Sequence, residues 1–181
     1  MSTMPKDSTS VAVISALTSL VVTTLTLSWQ FFKSQQDRRR QLYSEAYKVV
    51  MSWHEMYYRI SRRTPKSKSA QEELVKKFHD LQESVDYFTG WMKTESSYLG
   101  KLYSEFASET KALTEDPVRL AWEKEPLSPQ KPWPINSRAR PNKSALGDTF
   151  LSAVRDHLSL NPLRKTCYGW RVVKEKIGRG F

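Results

Sequence analysis

Three histidines and one cysteine are the side chains best equipped for catalysis or metal binding in this chain of 181 residues. His54 opens the stretch His54-Glu55-Met56-Tyr57-Tyr58, which begins like the helical motif of zinc proteases. That motif needs a second imidazole four residues on, so that two ligands share one helical face. Tyr58 stands there instead. His54 and His79 flank apolar seam positions and could approach each other, but two imidazoles without further ligands do not make a metal site. Cys167 is the single cysteine, which rules out an intrachain disulfide, and its sequence context is not that of a nucleophile. The six glycines are scattered, with no phosphate-binding loop and no strained Gly-x-Ser-x-Gly elbow. The adjacent carboxylates Glu72 and Glu73, like Glu115 and Asp116, face different sides of a helix and read as solvated charges. No constellation assembles a nucleophile, a base and an oxyanion donor. The expectation is a protein that works by association as an anchor, scaffold or membrane-associated effector, with no cofactor, no metal and no enzymatic activity. A membrane-tethered nucleic-acid binder is the alternative, and an enzyme of unknown type comes third.

The elements that would position any such residues begin with Val11–Phe32, a run of 22 uncharged residues. As a helix it is about 33 Å long, enough to cross a hydrocarbon core of about 30 Å. Its seven Ser and Thr hydroxyls are tolerable because they can bond back to the helix's own carbonyls. Trp29, Phe31 and Phe32 lie at its downstream end, as an interfacial aromatic belt would. A cleaved signal peptide would need a small-residue cleavage site, which Leu-Ser-Trp-Gln-Phe-Phe-Lys does not offer. The run is therefore predicted to be a retained transmembrane helix, preceded by a short external tail, residues 1–10. Lys33, Arg38, Arg39 and Arg40 follow it, against Lys6 and Asp7 before it. The positive-inside bias then puts the C-terminal part in the cytoplasm of a cell with a single-pass protein in its inner or plasma membrane. Within the span Ala12, Ala16, Ser19, Thr23 and Thr26 form one stripe of small residues, the usual surface for helix association in lipid and the expected interface of a homo-oligomer.

Net charge is +10, arranged in blocks. Residues 33–68 hold ten basic and three acidic side chains, residues 69–116 five and ten, and residues 117–181 thirteen and five. Basic, acidic and basic blocks each imply a different neighbour.

Apolar residues recur at Leu42, Ala46, Val49, Trp53, Met56 and Ile60 with heptad spacing, and again at Leu74, Phe78, Leu81, Val85, Phe88 and Met92. Between them, Ser-Arg-Arg-Thr-Pro-Lys-Ser-Lys-Ser breaks the pattern, and Ser69 with Glu72 forms a capping box. A fold-back at residue 67 aligns all six layers, pairing Ile60 with Leu74, Trp53 with Leu81 and Val49 with Val85. The fold class predicted is all-α: the transmembrane helix, then an antiparallel, coiled-coil-like hairpin of helices over about 33–62 and 69–114. The second helix should bend or end near Gly100. There Tyr98, Leu99, Leu102, Tyr103 and Phe106 offer either an interfacial face or packing for a third helix.

Residues 117–147 hold six prolines and read as a linker, within which Pro126-Leu-Ser-Pro129-Gln-Lys131 matches a short polyproline pattern. A short helix starting at Asp148, with Phe150, Leu151, Val154 and Leu158 on one face, is predicted to end at Pro162. The remaining basic, aromatic tail is ambiguous between a helical turn and a strand. Its Arg164, Lys165, Arg171 and Lys174, with Lys33 and Arg38–Arg40, are the expected contacts to anionic headgroups or to a polyanion.

Overall fold

The computed structural model describes residues 7–63, 68–123 and 144–178. Among these the protein is all-helical: α1 (Asp7–Ser61), α2 (Lys68–Glu95), α3 (Ser97–Glu123), α4 (Leu146–His157) and α5 (Pro162–Gly178). The chain divides into two units, Met1–Leu42 and Tyr43–Phe181. In the first, α1 carries every side chain from Ala12 to Gln35 exposed.

The second unit has its own core. Tyr43, Ala46, Val50, Met56, Tyr57 and Ile60 of α1 are buried there. This is a broader face than the single seam predicted. Val49 and Trp53 are half-buried, and Val50 takes the place expected for Val49. The physical reason is a third helix. A two-helix hairpin needs one stripe, whereas α1 packs against both α2 and α3 and must bury a wider arc. On α2, Leu81, Val85, Phe88 and Met92 are buried, while Leu74 and Phe78 are half-buried. Two ring contacts join α1 to α2, Tyr43 to Trp91 at 5.2 Å and Trp53 to Phe78 at 5.3 Å. The first has the register of a fold-back at residue 67. The second sets Trp53 one turn nearer the connection than Leu81.

The helix expected over 69–114 is two helices. The chain breaks at Ser96, and α3 runs back along α2. Gly100 permits the elbow, because a Cβ there would lie 2.8 Å from the Lys93 Cα and 2.9 Å from its amide nitrogen. Leu99, Leu102, Tyr103 and Phe106 turn into the core, so that face packs against protein and not against lipid. Tyr103 donates its hydroxyl to the Ala46 carbonyl at 3.2 Å, and burial pushes its pKa far up, so it stays a donor. Buried Thr110 and Thr114 satisfy their hydroxyls on the carbonyls of Phe106 and Thr110, at 2.8 Å each.

α3 also continues through Pro117 to Glu123, where a linker was expected. Proline inside a helix removes one backbone bond and costs about 3 kcal/mol. The far side of Pro117 compensates: Ala121 is buried with Tyr57 and Ile60, and Val118 and Trp122 pack on the same cluster. The rest of the predicted linker up to residue 143, including the polyproline pattern, lies outside the described residues.

α4 closes the bundle. Phe150 is fully buried between the rings of Tyr103 and Phe106, with centroids at 5.6 and 6.0 Å. Its first turn holds Asp148, but the N-cap residue is Ala145, and the Ser144 hydroxyl accepts from the Leu146 amide at 3.1 Å. Pro162, expected to end α4, lies beyond its last residue, His157. It is the first residue of α5, where its missing N–H costs nothing, and Asn161 Oδ1 caps the Leu163 amide at 3.0 Å. The ambiguous tail is thus a helix of 17 residues.

Candidate functional site

Two outward surfaces carry the sequence features that bear on function. The first is the apolar part of α1. Among the described residues it is the one helix long and apolar enough to cross a membrane. Val13, Ile14, Leu17, Leu20, Val21, Val22, Leu25 and Leu27 are each more than half exposed. Thr18, Thr23, Thr24 and Thr26 donate to the carbonyls four residues back, each at 2.8 Å. Hydroxyls satisfied in this way ask nothing of solvent, which lowers the cost of placing them in hydrocarbon. Ala12, Ala16, Ser19, Thr23 and Thr26 are all exposed. Beyond the run, Lys33, Arg38, Arg39 and Arg40 are exposed on the same helix, and Arg40 pairs with Asp37 at 3.5 Å.

The second surface is α5. Tyr168, Val172 and Glu175 form its half-buried face. The Tyr168 hydroxyl, its pKa raised by burial, donates to Ser96 Oγ at 2.6 Å, and its ring meets His157 at 4.9 Å and Tyr98 at 5.9 Å. Lys101 reaches Glu175 at 3.4 Å, and Arg171 reaches the buried carboxylate of Asp156 at 3.3 Å. The opposite face carries Leu163, Trp170, Val173 and Ile177, exposed by 74, 72, 46 and 62%. Arg164, Lys165 and Lys174 are exposed as well. Of the four tail residues expected at a polyanion, these three remain open, and Arg171 is tied to α4. The apolar stripe was missed. Its signal was present as heptad spacing from Leu163 to Ile177, obscured by basic residues.

Two concavities among the described residues of the second unit bear on function. An open groove of about 850 Å³ is walled by Trp53, Phe78, Val118 and Trp122, with the Lys111 ammonium 4.8 Å above the Trp53 ring. A smaller cavity of about 270 Å³ is lined by Tyr47, His54, Thr110 and Ser144. His54 is buried and His79 exposed, so the two do not share a setting. Among the described residues no three His, Cys, Asp or Glu side chains converge.

Comparison with known protein families, with curated proteins and with solved structures finds no match. Function therefore rests on the chemistry of these surfaces.

Proposed function

We propose that the chain is a single-pass protein of the inner or plasma membrane. Residues 11–32 span the bilayer and the second unit acts in the cytoplasm by association, as an anchor, scaffold or membrane-associated effector. The observation that carries this is the unbroken exposure of the apolar side chains from Ala12 to Phe32, together with threonines satisfied within the helix. Apolar surface of that extent is incompatible with water unless something covers it, and a bilayer covers it on all sides. The basic cluster Lys33, Arg38, Arg39 and Arg40 would stop transfer and sit among anionic headgroups. The pairing of α1 with α2 supports the antiparallel hairpin, coiled-coil-like but with a third helix along it. The second unit contributes packed helices and an apolar groove, features that suit a partner-binding module.

The test is fractionation and topology. Membranes from expressing cells should retain the protein after alkaline carbonate washing. The mature chain should keep residues 11–32 by mass, and a reporter fused after Phe181 should be cytosolic. Release by carbonate, loss of residues 11–32, or an external reporter would overturn the reading.

A further inference from the structure

We infer that α5 is an interfacial helix that lies on an anionic bilayer surface with Leu163, Trp170, Val173 and Ile177 turned into the lipid. The inference rests on the membrane-anchored reading above, since anchoring keeps a bilayer within reach. Single exposed apolar side chains are ordinary. Here four large ones recur at heptad spacing on one face, opposite the face that docks on the bundle. Both faces of α5 are thus accounted for. Tyr168 and Glu175 hold it to α3 and α4, and the stripe stays exposed among the described residues of the second unit.

Charge selects the occupant. α5 holds five basic residues and one acidic. A second copy would bring the same excess and be repelled. Nucleic acid would take the bases but leave the aliphatic side chains of Leu163, Val173 and Ile177 without a partner, because phosphate binding uses cations and base stacking uses aromatics. An anionic bilayer satisfies both at once. Acyl chains take the stripe, Trp170 sits at the headgroup boundary, and Arg164, Lys165 and Lys174 extend to the phosphates.

Cys167 makes the test direct. It is the single cysteine, it is exposed, and it lies one turn from Leu163 and Trp170. The full chain is labelled there with a polarity-sensitive fluorophore and placed in nanodiscs of phosphatidylcholine alone or with phosphatidylserine. The expected result is blue-shifted emission with phosphatidylserine, quenched by lipid-borne quenchers and reversed by salt. Leu163→Glu with Ile177→Glu should abolish the shift. Arg164→Gln and Lys165→Gln should each reduce the docked-to-free ratio about 5-fold. All four positions are exposed, and an unchanged circular-dichroism spectrum checks the fold. Equal emission in both discs would overturn the inference. So would a shift that follows the number of chains per disc, which marks a second copy, or one that appears only with an added oligonucleotide. Failure of the chain to co-elute with phosphatidylcholine discs would sink anchoring through α1 instead, and is read separately from the phosphatidylserine dependence.

Discussion

Arg63 lies just past α1, yet its guanidinium closes the end of α3. It donates to the carbonyls of Ala121 at 2.5 Å and Trp122 at 2.7 Å, and to Ile60 of α1 at 3.2 Å, with its plane 4.9 Å from the Trp122 ring. The last carbonyls of a helix have no partner within it, and a cation there also meets the negative end of the dipole. Arg63→Ala is expected to lower unfolding stability by about 2 kcal/mol, the worth of hydrogen bonds to a charged group. Arg63→Lys should recover only part of it, because an ammonium cannot span several carbonyls as the planar fork does. Chemical denaturation of the three proteins checks the order. Gly100 makes the second residue-scale argument. A methyl group there meets backbone of Lys93, which cannot rotate away. Gly100→Ala should therefore cost about 1–3 kcal/mol, an overpacking penalty, even though alanine is the better helix former. A stability equal to or above the parent would show that the elbow opens freely.

At the scale of elements, the period of the apolar residues carried the most information. Seams on α1 and α2 were legible because heptad spacing is the signature of a helix face. A bend near Gly100 was expected, and the chain breaks close by, at Ser96. Its exact position was hidden by the same period, because Leu99 follows Met92 by one heptad and the pattern runs straight through the elbow. Pro117 misled in the opposite direction, since a local penalty was outweighed by burial of Ala121 that sequence spacing did not disclose. α5 was obscured by Gly169, Thr166, Val172 and Val173, all weak helix formers. Its start signal, Asn161 followed by Pro162, was the readable clue. Of the surfaces, the apolar run of α1 and three basic residues of α5 were visible beforehand, whereas the stripe on α5 needed the packed face to be known. The small-residue stripe of the proposed span gives this scale its prediction. Thr23 and Thr26 spend their hydroxyls on their own helix, so association would come from close backbone packing at Ala12, Ala16 and Ser19 rather than from hydroxyl pairs. Replacing Ala16, Ser19 and Thr23 with leucine should abolish self-association of the span in a membrane two-hybrid assay. Unchanged association removes the stripe as the interface.

At the scale of the whole molecule, the chain divides at Leu42 into two units. Residues up to 42 bury none of their described side chains, and the core begins at Tyr43. Tyr103, Phe106, Phe150, Met56, Ile60 and Met92 are all fully buried and all belong to the second unit. A core complete within one unit gives that unit cooperative stability of its own. The chain from residue 43 onward is therefore expected to be soluble, monomeric at low concentration and helical by circular dichroism, with a single unfolding transition. Its midpoint should match that of the full chain in detergent within a few degrees, since every buried apolar side chain among the described residues is kept. Far-UV and near-UV spectra followed through urea unfolding check this: coincident transitions support an autonomous bundle. A chain that keeps its helical signal but lacks near-UV structure would show that the bundle needs the span, or the bilayer around it, to fix its packing. The α5 stripe sets a limit on solubility, because Leu163, Trp170, Val173 and Ile177 remain exposed once residues 1–42 are removed. Truncated protein should accordingly aggregate at high concentration, and Leu163→Glu with Ile177→Glu should suppress that aggregation without moving the unfolding midpoint.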